Sequence, residues 1–349
     1  MGSTNNHLNG KRRVTTRDIA RAAGVSQPTV SRALAGDDAI SDATRNRVLA
    51  VAKRLNYPTS RLQRAPSLLA RRKRVIGVVV AALHNSFYTY FVGHLHDELA
   101  AAGYSMVLMI DQFEHSADLS KLQGLLDGTL AGVLFTTATI HSAAVQLLYD
   151  RGIPLVLAVR SVSGLPVDTI ESDNVMAGRD AIRHLTSLGH RRIGFVLGPR
   201  DTSTSLQRFE GAAQELAGHG QTVSPELLIW SDYSHEAGYS GLLRLAKAQP
   251  PPTALICGND VVALGALDAA RKQGIAVPEA MSIVGFDDIP MAGWAMVQLT
   301  TVRQGIEAMA TLAARRMLER VQAADDLPPR HDVLPTSLVL RGTTAPPQR

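Results

Sequence analysis

The chain has 349 residues, enough for roughly two to three typical domains, and 45% of them are hydrophobic, as in an ordinary globular protein. No apolar run approaches the ~20 residues that cross a bilayer, and the polar residues 1–10 contain no apolar signal core, so we expect a soluble, cytoplasmic protein. Because Cys257 is the single cysteine, an internal disulfide is excluded, which agrees with a reducing compartment.

Charge is distributed unevenly along the chain. Residues 1–74 contain 16 Lys/Arg and 4 Asp/Glu, a formal charge of +12, whereas residues 75–349 contain 20 and 27, a charge of −7. A basic segment of this kind favours a polyanionic partner, because each Lys or Arg that neutralises a phosphate releases condensed counterions. The basic residues are spread over several short predicted helices instead of lying opposite large apolar residues, so nucleic acid fits better than a membrane surface.

Residues 11–58 have the pattern of a small helical domain. Thr15 and Asp18 have the spacing of a capping box at the start of a first helix, and Gly24 ends that helix. Ser26 is the natural N-cap of a second helix, and proline in its first turn costs no hydrogen bond.

A third helix is predicted after Ser41, its N-cap residue. We expect its inner face to consist of Val48, Leu49, Ala52 and Leu55. Three short helices with a tight glycine-containing turn predict a helix-turn-helix, although a generic helical hairpin also matches this spacing.

The residues themselves favour the helix-turn-helix. They read Val14-Thr15-x-x-Asp18-Ile19-Ala20-x-x-Ala23-Gly24-Val25-Ser26-x-x-Thr29-Val30-Ser31-Arg32-Ala33-Leu34. Over about twenty positions this segment closely resembles the DNA-binding signature of the lac repressor (LacI/GalR) family.

The resemblance implies a role for each matching residue. Gln27 and Pro28 would stand at the specificity positions in the major groove, where Gln27 could bind adenine bidentately, and Arg32 resembles the family's base-contacting arginine, which favours guanine. Phosphate contacts are implied for Thr15, Ser26, Thr29, Ser31 and Asn56, and further DNA contacts for Thr16 and Tyr57. For Thr15, Ser26 and Ser31, helix capping or packing is an equal alternative.

An Arg-rich linker is predicted at residues 59–74. In the family this segment folds on DNA into a short hinge helix, and a leucine from it enters the minor groove. Leu68 is the candidate here and Leu69 is nearly as good. The spacing departs slightly from the family pattern, and Pro66 is tolerable only in the first turn of a helix.

From Val75 onward, strands and helices alternate, which predicts parallel α/β sheets. We predict strands at 75–83, 106–110, 132–136, 155–159 and 169–171, and a helix at 94–102. The segment 191–197 then repeats the pattern of 74–80. The expected fold is a small all-α helix-turn-helix head followed by an α/β core of two Rossmann-like lobes, similar to periplasmic binding proteins, with a ligand cleft at the carboxyl ends of the strands.

These patterns give predicted boundaries. We expect a disordered segment at 1–10, the DNA-binding domain at 11–58, the linker at 59–74, a first lobe at 75–188 and 304–330, a second lobe at 189–303 and 331–341, and a tail at 342–349. A helix at 304–322 would return the chain to the first lobe, and a strand at 337–340 would end the second. No carboxy-terminal leucine heptad follows, so a homodimer is the economical assembly.

Further segments extend the resemblance over nearly the whole chain, among them the motif 282–288. The family's effector-binding positions fall on Asn85, Phe87, Arg160, Asp173, Arg208, Asn259 and Asp287. These residue types suit a polyol, and an aromatic ring such as Phe87 or Trp294 could cover the apolar face of a sugar.

Other residues are interpreted structurally. Asp260 and Asp288 are expected to cap helices or hold loops, and Cys257 to pack as a small apolar residue. His94 and His96 are interpreted as solvated helix positions, so no metal site and no cofactor are expected.

We therefore predict a DNA-binding transcriptional regulator, a repressor by preference, whose affinity for a palindromic operator depends on a sugar-like effector. Two alternatives are a constitutive DNA-binding protein with a vestigial cleft and a sugar-binding receptor. An enzyme is disfavoured because no phosphate-binding glycine loop, nucleophile elbow or metal cluster appears in the sequence.

Overall fold

The computed structural model of the protein describes residues 15–35, 40–55, 74–81, 83, 85–111, 125, 127–323 and 327–348. The chain separates into two compact units, residues 1–74 and residues 75–349. Within the described residues, no helix has the length and apolar character needed to cross a membrane.

The described residues of the amino-terminal unit form three helices. They are α1 (Thr16–Ala23), α2 (Gln27–Ala35) and α3 (Asp42–Arg54). The predicted capping box of Thr15 and Asp18 is confirmed, and the Thr15 amide donates to the Asp18 carboxylate at 2.9 Å. Gly24 ends α1 with a φ of 64°, a left-handed conformation that glycine adopts without steric cost. The short turn that follows allows α2 to cross α1 closely.

A core of eight small and branched side chains holds these helices together: Ile19, Ala20, Ala23, Val30, Ala33, Val48, Val51 and Ala52. The prediction for α3 was wrong at Leu49, which is 36% exposed. Residues 48, 51, 52 and 55 form one helical stripe, and a residue one position after Val48 is rotated by about 100° away from it.

The carboxy-terminal unit is built from strands and helices that alternate over most of its length. The helices among its described residues are α4 (Ser86–Ala101), α5 (Ala143–Asp150), α6 (Asn174–Ser187), α7 (Ser203–Gly218), α8 (His235–Leu245), α9 (Asp260–Gln273) and α10 (Ile306–Gln322). Its strands are β1 (Val75–Val80), β2 (Ser105–Ile110), β3 (Gly132–Phe135), β4 (Leu155–Ala158), β5 (Asp168–Ser172), β6 (Ile193–Leu197), β7 (Leu228–Trp230), β8 (Ala254–Cys257), β9 (Ser282–Asp287), β10 (Thr300–Arg303), β11 (His331–Leu334) and β12 (Ser337–Val339).

The first lobe is a six-stranded parallel sheet in the order β11-β5-β4-β3-β1-β2. Alternate side chains of β1 face opposite layers: Ile76 and Val78 pack with α4 and α10, whereas Val79 packs with α5. A parallel strand covered on both faces is apolar throughout, which is why β1 is a continuous Val/Ile run. Strand β1 ends at Val80, before the predicted end at residue 83, and Leu83 is about half exposed.

The second lobe has the strand order β12-β10-β9-β8-β6-β7, and only the short edge strand β12 runs antiparallel. Helices α6 and α7 cover one face and α8 and α9 the other. Paired glycines allow the helices to approach closely: a Cβ on Gly211 would lie 1.9 Å from the Val175 carbonyl oxygen, and one on Gly178 would lie 2.1 Å from that of Arg208.

The chain crosses between the lobes three times, at residues 173, 304–305 and 335–336. The Asp173 amide donates to the Leu334 carbonyl at 2.8 Å, and the Ser172 hydroxyl donates to the Gln304 carbonyl at 3.4 Å. These bonds join neighbouring crossings to one another, so the connection between the lobes is a three-stranded hinge.

Two predicted lobe boundaries were wrong. Helix α6 packs against α7 and the second sheet, so the second lobe begins at 174 and not at 189. Strand β11 pairs with β5, so residues 331–334 belong to the first lobe. Both segments adjoin a crossing, where sequence pattern identifies a helix or strand but not the sheet it joins.

Helix α4 begins at Ser86, eight residues before the predicted start. Its first turns contain aromatic and β-branched residues that favour strands. Phe87, Tyr88 and Phe91 are nevertheless buried against the first sheet. Tertiary packing therefore overrides local propensity in this segment.

The carboxy-terminal residues that the structure describes pack against the second sheet. The Thr343 hydroxyl donates to the Ile283 carbonyl at 2.7 Å and accepts from the Thr300 amide at 2.9 Å. His190 is buried, and its Nε2 lies 2.9 Å from the Ala345 carbonyl oxygen. Residues 343–345 are thus part of the second lobe and not a free tail.

Candidate functional site

One candidate surface is formed by the starts of α1 and α2. Gln27 and Pro28 occupy the first turn of α2 and are exposed, as are Ser26, Ser31 and Arg32. Thr15, Thr16 and Thr29 lie on the same two helix starts. The structure therefore brings Thr16 into contact with Gln27 and Ser26 into contact with Thr29, whereas Ser31 and Arg32 lie further along α2. Asn56, Tyr57, Leu68 and the alternative Leu69 lie outside the described residues.

Several of these side chains also bond to each other. The Thr29 amide donates to the Ser26 hydroxyl at 3.3 Å, so Ser26 caps α2. The Gln27 amide nitrogen donates to the Thr16 hydroxyl at 3.1 Å, and Arg17 Nε donates to the Gln27 amide oxygen at 3.3 Å. The hydroxyls of Thr15 and Ser26 thus have capping roles as well as exposed positions.

The second candidate site, the interlobe cleft, has a volume of about 300 Å³ including its opening to solvent. It is lined by Asn85, Phe87, Tyr88, Val159, Arg160, Thr204, Arg208, Tyr233, Asn259, Asp287 and Gln304. These residues follow or end strands of both sheets, at the carboxyl edge where open α/β folds bind ligands. Six of the seven predicted effector-binding residues are among them.

Arg208 is the best-connected group of the cleft. Its Nε donates to the Asn174 side-chain oxygen at 2.9 Å, and its Nη1 donates to the Gly258 carbonyl at 2.5 Å. Its Nη2 lies 3.6 Å from the Asp287 carboxylate, and its guanidinium lies 4.7 Å from the centre of the Phe286 ring. These contacts fix a buried cation at the base of the second lobe's half of the cleft.

Asp287 is the carboxylate of the cleft. The Gln304 amide nitrogen donates to it. Burial raises the pKa of Asp287 to about 7, although the Arg208 charge and the hydrogen bond from Gln304 oppose that rise. Because Gln304 lies on a crossing between the lobes, the cleft carboxylate is bonded directly to the hinge.

The first lobe contributes a second guanidinium. Arg160 Nη1 donates to the Thr137 carbonyl at 2.9 Å, and the guanidinium lies 5.7 Å from the centre of the Tyr233 ring of the other lobe. The Tyr233 hydroxyl lies 2.6 Å from that of Ser205. A Cβ on Gly198 would lie 2.2 Å from the ring, so a glycine is needed to admit Tyr233 at this position.

Helix caps and strained backbone position other lining residues. Asn85 accepts from the Phe87 amide at 3.0 Å, and Asn259 accepts from the Val262 amide at 2.9 Å. Val159 and Asp287 have φ values of 73° and 117°, conformations that cost energy for residues other than glycine. Strain of this kind is concentrated where the surrounding structure holds a site in place.

Two predicted ligand contacts lie elsewhere. Asp173 caps α6 by accepting from the Met176 amide at 2.9 Å and is not part of the cleft lining. Trp294 is 58% exposed and lines a different groove with Leu264 and Val297. Trp294 follows β9 and a short 3-10 helix, and it does not line the interlobe cleft that holds most of the other predicted effector-binding residues.

The structural interpretations of Asp260, Asp288 and Cys257 are confirmed. Asp260 accepts from the Ile289 amide at 2.9 Å and the Thr301 hydroxyl at 2.5 Å, and burial raises its pKa well above the ordinary range. The Asp288 carboxylate accepts from Arg303 Nε at 2.7 Å and from Arg341 Nη2 at 2.6 Å. Cys257 is buried at the end of β8, and burial raises the pKa of its thiol.

The sequence interpretation missed five lining residues: Tyr88, Val159, Thr204, Tyr233 and Gln304. Each lies within one helical turn of a strand end or a predicted site residue. The signal was available for Tyr233, a tyrosine just beyond β7, because in a parallel sheet the segment after every strand reaches the same edge.

Comparison with protein families gives two matches. Residues 15–60 match the model of "Bacterial regulatory proteins, lacI family", and residues 182–344 match a "Periplasmic binding protein-like domain". A regulator of Streptomyces lividans named HTH-type transcriptional regulator reg1 is 35% identical, over 95% of this chain and 97% of its own. The HTH-type transcriptional repressor CytR of Escherichia coli K12 is 32% identical, over 95% and 96%.

Solved structures agree. A complex described as transcriptional regulator CelR with cellobiose has a TM-score of 0.71 and 29% identity, and covers 95% of this chain and all of its own. A regulator from Mycobacterium smegmatis has a TM-score of 0.71 and 26% identity, over 78% of this chain and all of its own. The similarity therefore extends over both units of the chain.

Proposed function

Because the chain belongs to the lacI family of bacterial regulatory proteins, we propose that it represses transcription as a homodimer on palindromic operator DNA, under the control of a sugar or sugar derivative in the interlobe cleft. The chain is a helix-turn-helix transcriptional regulator, like its relatives. The ligand, its effect and the dimer are the proposed parts.

The composition of the cleft carries the proposal. Carboxylate and amide oxygens accept hydrogen bonds from hydroxyl groups, and guanidinium groups donate to them, so Asp287, Asn259 and Arg160 suit neighbouring hydroxyls of a polyol. The Phe87 and Tyr233 rings offer apolar faces for the ring hydrogens of a sugar. The CelR relative is described as a complex with cellobiose, which supports the class.

The hinge supports a coupling between ligand and DNA. A ligand that hydrogen-bonds to Asp287 competes with Gln304, which lies on one crossing and is joined by its carbonyl to Ser172 of another. Ligand binding therefore favours one arrangement of the lobes over the other, and a shift of that equilibrium changes how well two DNA-binding units match an operator.

Exposed apolar side chains support a dimer through the lobes. Tyr90 of α4 and both Val107 and Ile110 of the edge strand β2 are exposed in the first lobe, and Met296 is 85% exposed in the second. Large exposed apolar groups beside a sheet edge are typical of a protein interface. Sedimentation velocity should give the mass of two chains.

The test is calorimetric titration of the full chain with a panel of sugars and sugar acids, with and without operator fragments selected by the protein itself. We expect one ligand to bind and to change operator affinity by about 5–150-fold, the usual range of allosteric coupling. No heat across a broad panel, together with operator binding that no ligand alters, would favour a constitutive DNA-binding protein.

A further inference from the structure

We propose that Arg17 positions the base-reading side chain Gln27, and that the pair presents a surface specific for adenine. The proposal rests on the DNA-binding function and adds a residue that the family signature leaves open, since position 17 lies between its fixed residues. Arg17 and Thr16 begin α1 and Gln27 begins α2, so residues ten and eleven positions apart meet at one surface.

Hydrogen-bond chemistry fixes which way the Gln27 amide faces. A guanidinium can only donate, so the group 3.3 Å from Arg17 Nε must be the amide oxygen, Oε1. The amide nitrogen, Nε2, then lies 3.1 Å from the Thr16 hydroxyl and donates to it. The flipped orientation would place the donating amide nitrogen against the donating guanidinium, so it is excluded.

The two bonds leave a defined pattern for DNA. A glutamine amide has two N–H groups and two oxygen lone pairs, and Thr16 and Arg17 each engage one of them. One N–H and one lone pair remain for a base edge. Adenine presents N7 as an acceptor and N6 as a donor at its major-groove edge, which matches this pair, whereas guanine presents two acceptors and leaves the glutamine oxygen facing another oxygen.

Positioning of Gln27 by its neighbours also lowers the entropic cost of binding a base. A free glutamine side chain loses rotamer freedom on binding a base, and this loss of entropy opposes binding. The contacts to Thr16 and Arg17 restrict Gln27 before DNA arrives, so part of that loss is already met in the free protein. Removal of Arg17 should therefore weaken adenine binding and free the amide to flip toward other bases.

A phosphate contact by Arg17 is the competing explanation, and it has a different signature. A phosphate contact lowers affinity equally for all sequences and reduces the salt slope by about one unit. A positioning residue changes the preference at the base pair that Gln27 reads. Arg21 is the matched control, because it is an exposed arginine of the same helix one turn further on.

The experiment uses the full chain and an operator obtained by selection from random duplexes. Each base pair of a half-site is substituted in turn, and competition binding gives the preference for every position. Gln27→Ala identifies the base pair read by Gln27, which we expect to contain adenine. Arg17→Met should lower the adenine preference there by at least about fivefold, Arg21→Met should leave it unchanged, and Arg17→Met should have no further effect on it in the Gln27→Ala protein.

Three results would overturn the proposal. In the first, Arg17→Met loses affinity equally for all duplexes. In the second, the base pair whose preference depends on Gln27 does not contain adenine. In the third, the Gln27→Ala protein keeps the wild-type preference at every base pair. If the wild-type protein instead selects no duplex at all, the DNA-binding function itself fails. A thermal midpoint of Arg17→Met equal to that of wild type excludes unfolding as the cause.

Discussion

The two units of the chain hold their functional side chains in different ways. In the DNA-binding unit the candidate residues are exposed, lie within a short stretch of sequence and bond to near neighbours, while a separate core of eight apolar residues maintains the fold. In the carboxy-terminal unit the candidate residues are buried and come from positions 85 to 304. In the first unit most candidate side chains therefore lie apart from the core, although Ser26 also caps α2, whereas in the second unit most candidate side chains are buried within the fold.

The largest expected effect is that of Arg208→Met. The change leaves the Asp287 carboxylate and the Gly258 carbonyl without their buried cation, so we expect the free energy of unfolding to fall by about 3 kcal/mol or more, together with loss of ligand binding. Urea unfolding followed by fluorescence suits this test, because Trp230 and Trp294, the two tryptophans, both lie in the second lobe.

Arg191→Met is the control for Arg208→Met, since Arg191 is an exposed arginine of the same lobe. We expect that variant to unfold within about 0.5 kcal/mol of wild type. Equal stability of the Arg208 variant and this control would break the comparison, because the cleft would then resemble the DNA-binding unit.

A smaller effect concerns pH. The pKa of Asp287 is raised from 3.8 to about 7, so between these values the folded protein keeps a proton that the unfolded chain releases. Stability should therefore fall as pH rises from about 4 to about 7, by at most about 1.4 kcal/mol per pH unit for one group. The pKa of Asp260 is also raised, by burial and by the charge of Asp287, so Asp260 contributes to the same fall in stability.

Asp287→Asn should reduce that slope, measured as the difference between the unfolding free energies of the two proteins at pH 5, 6, 7 and 8. Burial lowers the pKa values of His184 and His190, which makes stability fall as pH drops below about 6.5, the opposite sign. That contribution is present in both proteins and cancels in the difference. Parallel pH curves for wild type and variant would contradict the prediction.

The smallest effect is expected in the DNA-binding unit. Gln27→Ala should change the free energy of unfolding by less than about 0.5 kcal/mol, because the side chain is exposed, although we propose that this residue contacts a base. Val48→Ala is the matched core variant and should cost about 1–2 kcal/mol, since Val48 is fully buried. Leu49→Ala should resemble Gln27→Ala. Calorimetry of the full chain should separate Val48→Ala from the two exposed variants, and a destabilised Gln27→Ala protein would show that Gln27 also supports the fold.

The same difference explains what could be predicted from the sequence. The DNA-reading surface depends on contiguous residues and local caps such as Ser26, so a short signature was sufficient. The cleft depends on sheet order, which brings strand ends together across more than two hundred residues. Strand ends could be located, and six cleft residues followed from them and from the family resemblance.

The errors have physical causes of the same kind. Asp173 has the residue type of a ligand contact, but an aspartate before a helix is equally suited to capping it, and only the fold decides between the two. Gln304 could not be found from pattern, because its position depends on how one crossing lies beside Asp287. The sequence of strand β11 did not indicate which sheet the strand joins, since an edge strand with alternating polarity fits either lobe.

The triple crossing between the lobes has a consequence for the order in which the chain can fold during synthesis. Both lobes need late segments: the first sheet takes β11 at one edge, and the second takes β12 and Thr343. Those segments follow the rest of both lobes along the chain, so neither lobe can be completed before residues 331–343 are synthesised, whereas the three amino-terminal helices are complete after residue 54. A nascent chain therefore carries these three helices long before either lobe is complete.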